Sequence, residues 1–172
     1  MLKKIFQFNN QDNVKMLIAE RCNIVFEERV LFNCFFCKNY GYKWSCPPNI
    51  PNLTFSTVLN EYDNYVLLFH KKKFENEITI DDRIQSTSII HMLGLKLEKI
   101  LWENNHPMAK IFIGGGCKLC TNCPKTGCVK PYFRRIPLEA IGVNVIKTAA
   151  NVGMEIVFPP KDYFYRVGLL VW

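Results

Sequence analysis

Seven of the eight cysteines fall into two short segments whose spacing is typical of metal ligation. The second segment reads Cys117-x2-Cys120-x2-Cys123-x4-Cys128. Three thiols this close together can surround one metal centre with little loss of chain entropy. Zinc knuckles usually supply cysteines in separated pairs, whereas successive two-residue gaps are typical of bacterial ferredoxin loops. The spacing therefore favours an iron–sulfur cluster, with a zinc site or free thiols as alternatives.

The second segment departs from the ferredoxin pattern at its end. The last gap has four residues, and a proline, Pro124, follows the third cysteine. Cys128 therefore either closes the same cluster or reaches another one. Gly115 and Gly116 precede Cys117, and we expect them to let the backbone approach the cluster so that N–H groups bond its sulfurs. The alternative role of these glycines is a tight exit from a strand.

The first segment supplies three more thiols in the pattern Cys34-x2-Cys37-x8-Cys46, followed by two prolines. Cys22, twelve residues upstream, is a candidate fourth ligand, although a buried free thiol is the alternative. Without Cys22, a four-iron cluster on three cysteines would leave one iron open. An open position marks a reactive metal site, by analogy with catalytic zinc. This segment therefore allows either an enzyme or a cluster carrier.

Hydrophobic patterning predicts the elements that position these segments. The predicted helices cover residues 14–19, 54–62, 82–104 and 138–152, and the predicted strands cover residues 28–32, 65–69, 110–113, 155–158 and 167–171. Strands that alternate with helices indicate an α/β fold, a layered sheet with flanking helices and two Cys-rich metal-binding loops. Each Cys-rich loop would follow a strand, so we expect the loops to meet at one edge of the sheet.

Length and composition indicate one metal-binding domain over residues 1–172, because 49% of the residues are apolar. The apolar runs are too short to span a membrane, and the N terminus does not resemble a signal peptide. A cytoplasmic location is expected. Disulfides would be a poor explanation for eight cysteines in that reducing compartment, which strengthens the interpretation as metal ligands.

The formal net charge of +7 treats every thiol as neutral. Two oxidised four-iron clusters on four thiolates each would lower it to about +3, so part of the basicity can compensate cluster charge; a generic basic surface is the alternative. Four basic residues flank the second segment, and we expect them to neutralise a cluster or to dock an acidic redox partner, unless they form a solvated face. They are Lys125, Lys130, Arg134 and Arg135. Nucleic-acid binding is disfavoured, because no basic stripe alternates with aromatic residues.

Several motifs together resemble an uncharacterised cysteine-rich family of predicted metal-binding proteins, a domain of unknown function found mainly in anaerobic bacteria and archaea. The motifs are Asn39-Tyr40-Gly41, Cys46-Pro47-Pro48, the Gly116–Cys128 segment with Pro131, and Glu139-Ala140-x-Gly142-Val143. The similarity runs from about residue 28 to the C terminus. It implies a cytosolic metalloprotein that holds iron–sulfur clusters, and it implies no particular reaction.

The sequence thus predicts a cytosolic iron–sulfur protein with one or two 4Fe-4S clusters, acting in electron transfer or other redox chemistry. An enzyme that uses an open iron at the Cys34, Cys37 and Cys46 site is the first alternative. A zinc-stapled binding module without redox activity is the second. Neither the substrate nor the oligomeric state follows from the sequence.

Overall fold

A computed structural model describes residues 1–172, and its centre is a four-stranded antiparallel sheet of order β1-β2-β4-β3. The strands are β1 (Val14–Ala19), β2 (Tyr65–Lys73), β3 (Lys110–Phe112) and β4 (Tyr163–Val171). The predicted strand 65–69 lies in β2 and is buried along its whole length. Such a continuous apolar run suits a strand that is covered on both faces.

Five α-helices and three short 3₁₀ helices surround the sheet. The α-helices are α1 (Leu2–Phe6), α2 (Glu28–Phe35), α3 (Phe55–Leu59), α4 (Ile80–Trp102) and α5 (Val145–Asn151). The 3₁₀ helices cover Gln11–Asn13, Arg21–Asn23 and Glu139–Ile141. The long helix α4 begins where it does because Thr79 and Asp82 form a reciprocal capping box.

Two apolar clusters cover the opposite faces of the sheet. Val66 and Leu68 of β2 face α1 and α4, whereas the alternate residues Leu67 and Phe69 face α5 and the Glu139–Ile141 helix. Helix α4 packs closely on β3, because a Cβ atom on Gly94 would lie 2.5 Å from Ile111 Cγ1. The layers confirm the predicted mixture of helices and sheet.

Two predicted elements have the opposite secondary structure. Residues 14–19 form edge strand β1 and not a helix, because Val14 and Met16 are buried while Lys15 between them is exposed. Residues 28–32 belong to helix α2 and not to a strand. The helix places Val30 and Cys34, four residues apart, on one side. The first Cys-rich loop therefore follows a helix.

The predicted C-terminal elements also need correction. The predicted helix 138–152 is interrupted at Gly142, which has φ +86°, and α5 restarts with Asn144 accepting a hydrogen bond from Lys147 N at 3.1 Å. The predicted strand 155–158 is absent, since this segment pairs with no strand. Strand β4 is longer than predicted and starts at Tyr163. None of the helices combines the length and apolarity that a membrane crossing requires.

Candidate metal centre

The two Cys-rich loops lie against each other. The indole Nε1 of Trp44 in the first loop donates to Pro124 O in the second loop at 2.7 Å. The backbone N–H of Cys117 donates to Ser45 Oγ at 3.3 Å. The loops therefore meet as the sequence predicts, although only the second one follows a strand.

The first thiol pocket, lined by Cys34, Cys37 and Cys46, is a cavity of about 330 Å³. Cys46 is buried, Cys34 is half-buried and Cys37 is exposed. Burial is the main reason that the pKa of the Cys46 thiol rises to about 11. A hydrogen bond with Ser45 lowers this pKa, whereas the charges of Cys37, Cys34 and Glu139 raise it. The pKa of Cys34 is raised by burial first and then by Glu139 and Cys37. Burial therefore favours the protonated thiols of Cys34 and Cys46 in this pocket.

The second thiol pocket is lined by the four thiols of Cys117, Cys120, Cys123 and Cys128, all half-buried. Trp44 and Ser45 of the first loop form part of its wall. Its free volume is about 20 Å³, little more than one water molecule needs. A group larger than a single ion would therefore have to spread this loop.

Gly115 and Gly116 line the first thiol pocket, immediately before the second loop begins. Gly115 has φ +72°, a left-handed conformation that favours glycine. A Cβ atom on Gly116 would lie 3.0 Å from Asn39 Nδ2 and 3.7 Å from Cys46 Sγ. The glycines thus bring the backbone next to the thiols of the first loop, and not only to Cys117.

Cys22 lies apart from both thiol pockets. It is exposed in the short Arg21–Asn23 helix, and its thiol donates to a carboxylate oxygen of Glu20 at 3.6 Å. It lines neither pocket.

Several basic side chains near the thiol pockets form no salt bridge. Lys43 is buried, and Lys118 has a pKa that is lowered by burial first and then by Lys43, Lys38 and Arg166. Burial also lowers the pKa of Arg166, while the charge of Glu139 acts in the opposite direction, and Arg166 Nε lacks a hydrogen-bond partner. A Cβ atom on Gly115 would lie 3.0 Å from the Arg166 guanidinium. None of these four cations forms a salt bridge.

The four basic residues that flank the second loop in sequence have different environments. Arg135 is buried and forms an ion pair with Glu98, so it is not free to neutralise a cluster or to meet a partner. Arg134 donates to Trp44 O at 2.9 Å and thereby joins the two loops. Lys125 and Lys130 are exposed.

Two observations bear on which metal group the thiols could hold. No three or more Cys, His, Asp or Glu side chains converge tightly enough to hold a single metal ion. The thiols are soft donors of the kind that select zinc and iron–sulfur clusters, and the unpaired guanidinium beside Gly115 is suited to an anionic thiolate group. The donor chemistry therefore suits a thiolate-bound metal group, for which the first thiol pocket has room and the second would have to open.

Two residues in or beside the first thiol pocket were not predicted from the sequence as part of the site. Glu139 lines the pocket, but in the sequence it was indistinguishable from an acidic residue in the first turn of a helix. Arg166 lies in β4, and no local motif marked it. Only the fold brings Glu139 into the pocket and Arg166 against Gly115.

The model of a family described as "Predicted metal-binding protein (DUF2284)" matches residues 18–171. No curated protein and no solved structure matches the chain.

Proposed function

Because the chain belongs to this family of predicted metal-binding proteins, we propose that its metal is iron, held as one 4Fe-4S cluster at each thiol pocket. Cys34, Cys37 and Cys46 would hold one cluster. Cys117, Cys120, Cys123 and Cys128 would hold the other. Clusters of this kind supply one-electron transfer. The proposed activity is electron transfer or a related redox reaction.

The observation that carries the proposal is the common wall between the two pockets. Ser45 Oγ accepts the Cys117 N–H hydrogen bond at 3.3 Å and lies 3.9 Å from Cys46 Sγ. One side chain thus contacts both sets of cysteines. Two isolated structural metals have no need of such proximity, whereas electron transfer between two clusters benefits from it.

The charge distribution supports anionic groups in the pockets. Four thiolates around an oxidised four-iron cluster leave a net charge of about −2. Lys43 is buried and forms no salt bridge, and the half-buried Arg166 has the charge of Glu139 near it but forms no salt bridge, an arrangement that is costly unless a further anion lies near. A cluster at each pocket would supply that anion.

Anaerobic purification followed by iron, sulfide and zinc analysis tests the proposal. We expect a brown protein with iron and acid-labile sulfide in equal amounts, and the visible charge-transfer bands of thiolate-bound clusters. Electron paramagnetic resonance of the dithionite-reduced protein should then show two interacting centres. A colourless protein with stoichiometric zinc would contradict the proposal and would favour the zinc-stapled binding module.

An enzyme with an open iron is a second candidate, favoured by the size of the first thiol pocket. Only three cysteines line it, and its volume of about 330 Å³ lies at the lower end of small-molecule sites. Addition of cyanide to the reduced protein tests this candidate. A change in the spectrum of one cluster would indicate an open iron, whereas an unchanged spectrum would indicate a fully ligated cluster.

An acidic redox partner belongs to the same proposal. Lys125 and Lys130 are both exposed, Lys130 lines the second thiol pocket and Lys125 follows Cys123 by two residues. Both could steer a negatively charged protein toward the cluster. Charge reversal in a Lys125→Glu/Lys130→Glu variant should slow electron exchange with an acidic ferredoxin at low salt. The difference from the unmodified protein should disappear at high salt.

A further inference from the structure

The Cys34, Cys37 and Cys46 pocket lacks a fourth cysteine, and we propose that the carboxylate of Glu139 is its fourth protein ligand. The inference rests on the proposed function, because it assumes a four-iron cluster in this pocket. It assigns a Cys₃Glu ligand set to the first thiol pocket and an all-cysteine set to the second.

The position of Glu139 is the first support. Glu139 lines the same cavity as the three thiols. The thiol of Cys34 lies 3.7 Å from the backbone oxygen of Glu139. The turn between the Ile113–Pro137 bridge and Gly142 therefore places this residue directly against the first loop.

The hydrogen bonding of the carboxylate is the second support. One oxygen, Oε2, accepts the N–H of Gly115 at 3.3 Å, while Oε1 accepts no hydrogen bond from the protein. Glu139 also forms no salt bridge. The Gly115 contact fixes the orientation of the carboxylate and leaves one oxygen free for a ligand.

The charge balance is the third support. Three cysteines ligate metal as thiolates, and a carboxylate beside three thiolates experiences repulsion that the single neighbouring guanidinium, Arg166, offsets only in part. Iron supplies the further positive charge. Cys22 is a poor alternative as the fourth ligand because its thiol is exposed and hydrogen-bonded to Glu20.

A carboxylate oxygen is a harder donor than a thiolate and binds a soft-ligated cluster iron less durably. The iron at Glu139 should therefore be the most easily lost. Oxidation by ferricyanide would convert the 4Fe-4S(2+) core into a 3Fe-4S(1+) core, with release of one Fe²⁺ and transfer of one electron to ferricyanide. The bond that breaks joins that iron to the cluster sulfides and to its carboxylate.

Glu139→Gln and Glu139→Cys variants test the assignment in the anaerobically purified protein. The amide of Gln still accepts the Gly115 hydrogen bond but ligates iron poorly, so a purely structural Glu139 would tolerate it. We expect Glu139→Gln to contain about one iron fewer per chain than the unmodified protein and to show the resonance signal of an oxidised three-iron cluster. Glu139→Cys should keep its iron and resist ferricyanide better than the unmodified protein. Glu28→Gln removes an exposed carboxylate outside the pocket and is the control.

Two results would overturn the assignment while leaving the iron–sulfur proposal intact. One is a Glu139→Gln variant with unchanged iron content and an unchanged response to ferricyanide. The other is a Glu139→Cys variant that loses iron as readily as the Gln variant. A protein that contains no iron in any variant would instead overturn the proposed function itself. Circular dichroism of each variant verifies that the sheet is folded.

Discussion

At the scale of single residues, the cysteines divide by position into seven that line a thiol pocket and one, Cys22, on the surface. A serine at Cys22 should leave iron content and visible spectrum unchanged, because this thiol contacts only Glu20. A serine at Cys120 should remove a ligand of the second thiol pocket and lower iron content by up to about half. Iron analysis and absorbance of both purified variants measure the difference.

The two serine variants are matched, since each replaces one thiol by one hydroxyl. A loss of iron in Cys22→Ser would make Cys22 a ligand after all. An unchanged Cys120→Ser variant would remove the second thiol pocket from the proposed sites.

Arg166 provides a prediction about the reduction potential. Its guanidinium lies beneath Gly115 and carries its charge without a salt bridge. Arg166→Met removes a cation near the first thiol pocket and should make the cluster harder to reduce, because reduction adds negative charge. We expect a fall of tens of millivolts, where ~59 mV corresponds to ~1.4 kcal/mol for one electron. Redox titration followed by electron paramagnetic resonance measures it.

The Lys4→Met variant is the control for Arg166→Met. Lys4 donates to Asn104 on the side of α1 and α4, away from the thiol pockets. Equal potentials for Arg166→Met and the unmodified protein would exclude an electrostatic role for Arg166.

The cysteine positions could be predicted from the sequence because their signal is local. Three thiols at fixed short gaps, such as Cys117, Cys120 and Cys123, indicate a shared metal without any knowledge of the fold. Glu139 lies far from Cys34 in sequence, and Arg166 lies still farther from it. Their approach depends on how β3 and β4 pair and on the turn after Pro137, which no local pattern encodes.

At the scale of elements, a distinctive apolar pattern made some segments predictable, whereas short segments with an ambiguous period were not. Helix α4 covers 23 residues, long enough for its apolar period to identify it, although its Thr79 cap was not predicted and it begins two residues earlier than expected. Strand β1 has only six residues, and Val14, Leu17 and Ile18 recur at a spacing that also suits a helix. The pairing of β1 with β2 decided its conformation. The conformation of α2 was decided in the same way by its contact with the Glu139–Ile141 helix.

Glu98 joins three elements around the second loop and supports a prediction about stability. Glu98 lies in α4. Its Oε1 accepts one hydrogen bond from Ile111 N in β3 at 2.7 Å and another from Arg135 Nε at 2.7 Å. Both members of the ion pair are about nine-tenths buried. Glu98→Ala leaves a buried guanidinium without its partner, and we expect a loss of about 3–5 kcal/mol in the free energy of unfolding.

Urea unfolding of two further variants sharpens the prediction for Glu98. Glu103→Ala removes a carboxylate from the exposed pair with Lys99 and should cost less than about 1 kcal/mol. Glu98→Leu/Arg135→Met removes both buried charges and should recover part of the loss. Equal destabilisation by Glu98→Ala and Glu103→Ala would show that the buried pair contributes little.

At the scale of the whole molecule, the sheet and the thiol pockets depend on different interactions. Both apolar clusters consist of residues from the strands, from α1, α3, α4 and α5, and from the segments beside them. Neither cluster includes a residue from 33–51 or from 114–134. Apolar burial therefore stabilises the sheet with its helices, while the two Cys-rich loops contribute little to it.

The last prediction concerns removal of the metal. Because a bound metal stabilises only the segments whose ligands it joins, chelation of iron should raise amide hydrogen exchange mainly in residues 33–51 and 114–134. Exchange in β2 and β4 should change little, since their core positions are buried on both sides of the sheet. Hydrogen-exchange mass spectrometry of the anaerobic protein before and after chelation measures both regions in one experiment. The Cys22→Ser protein should respond in the same way, because that thiol lies outside the pockets. Equal loss of protection in β2 and in the loops would mean instead that the metal holds the entire fold together.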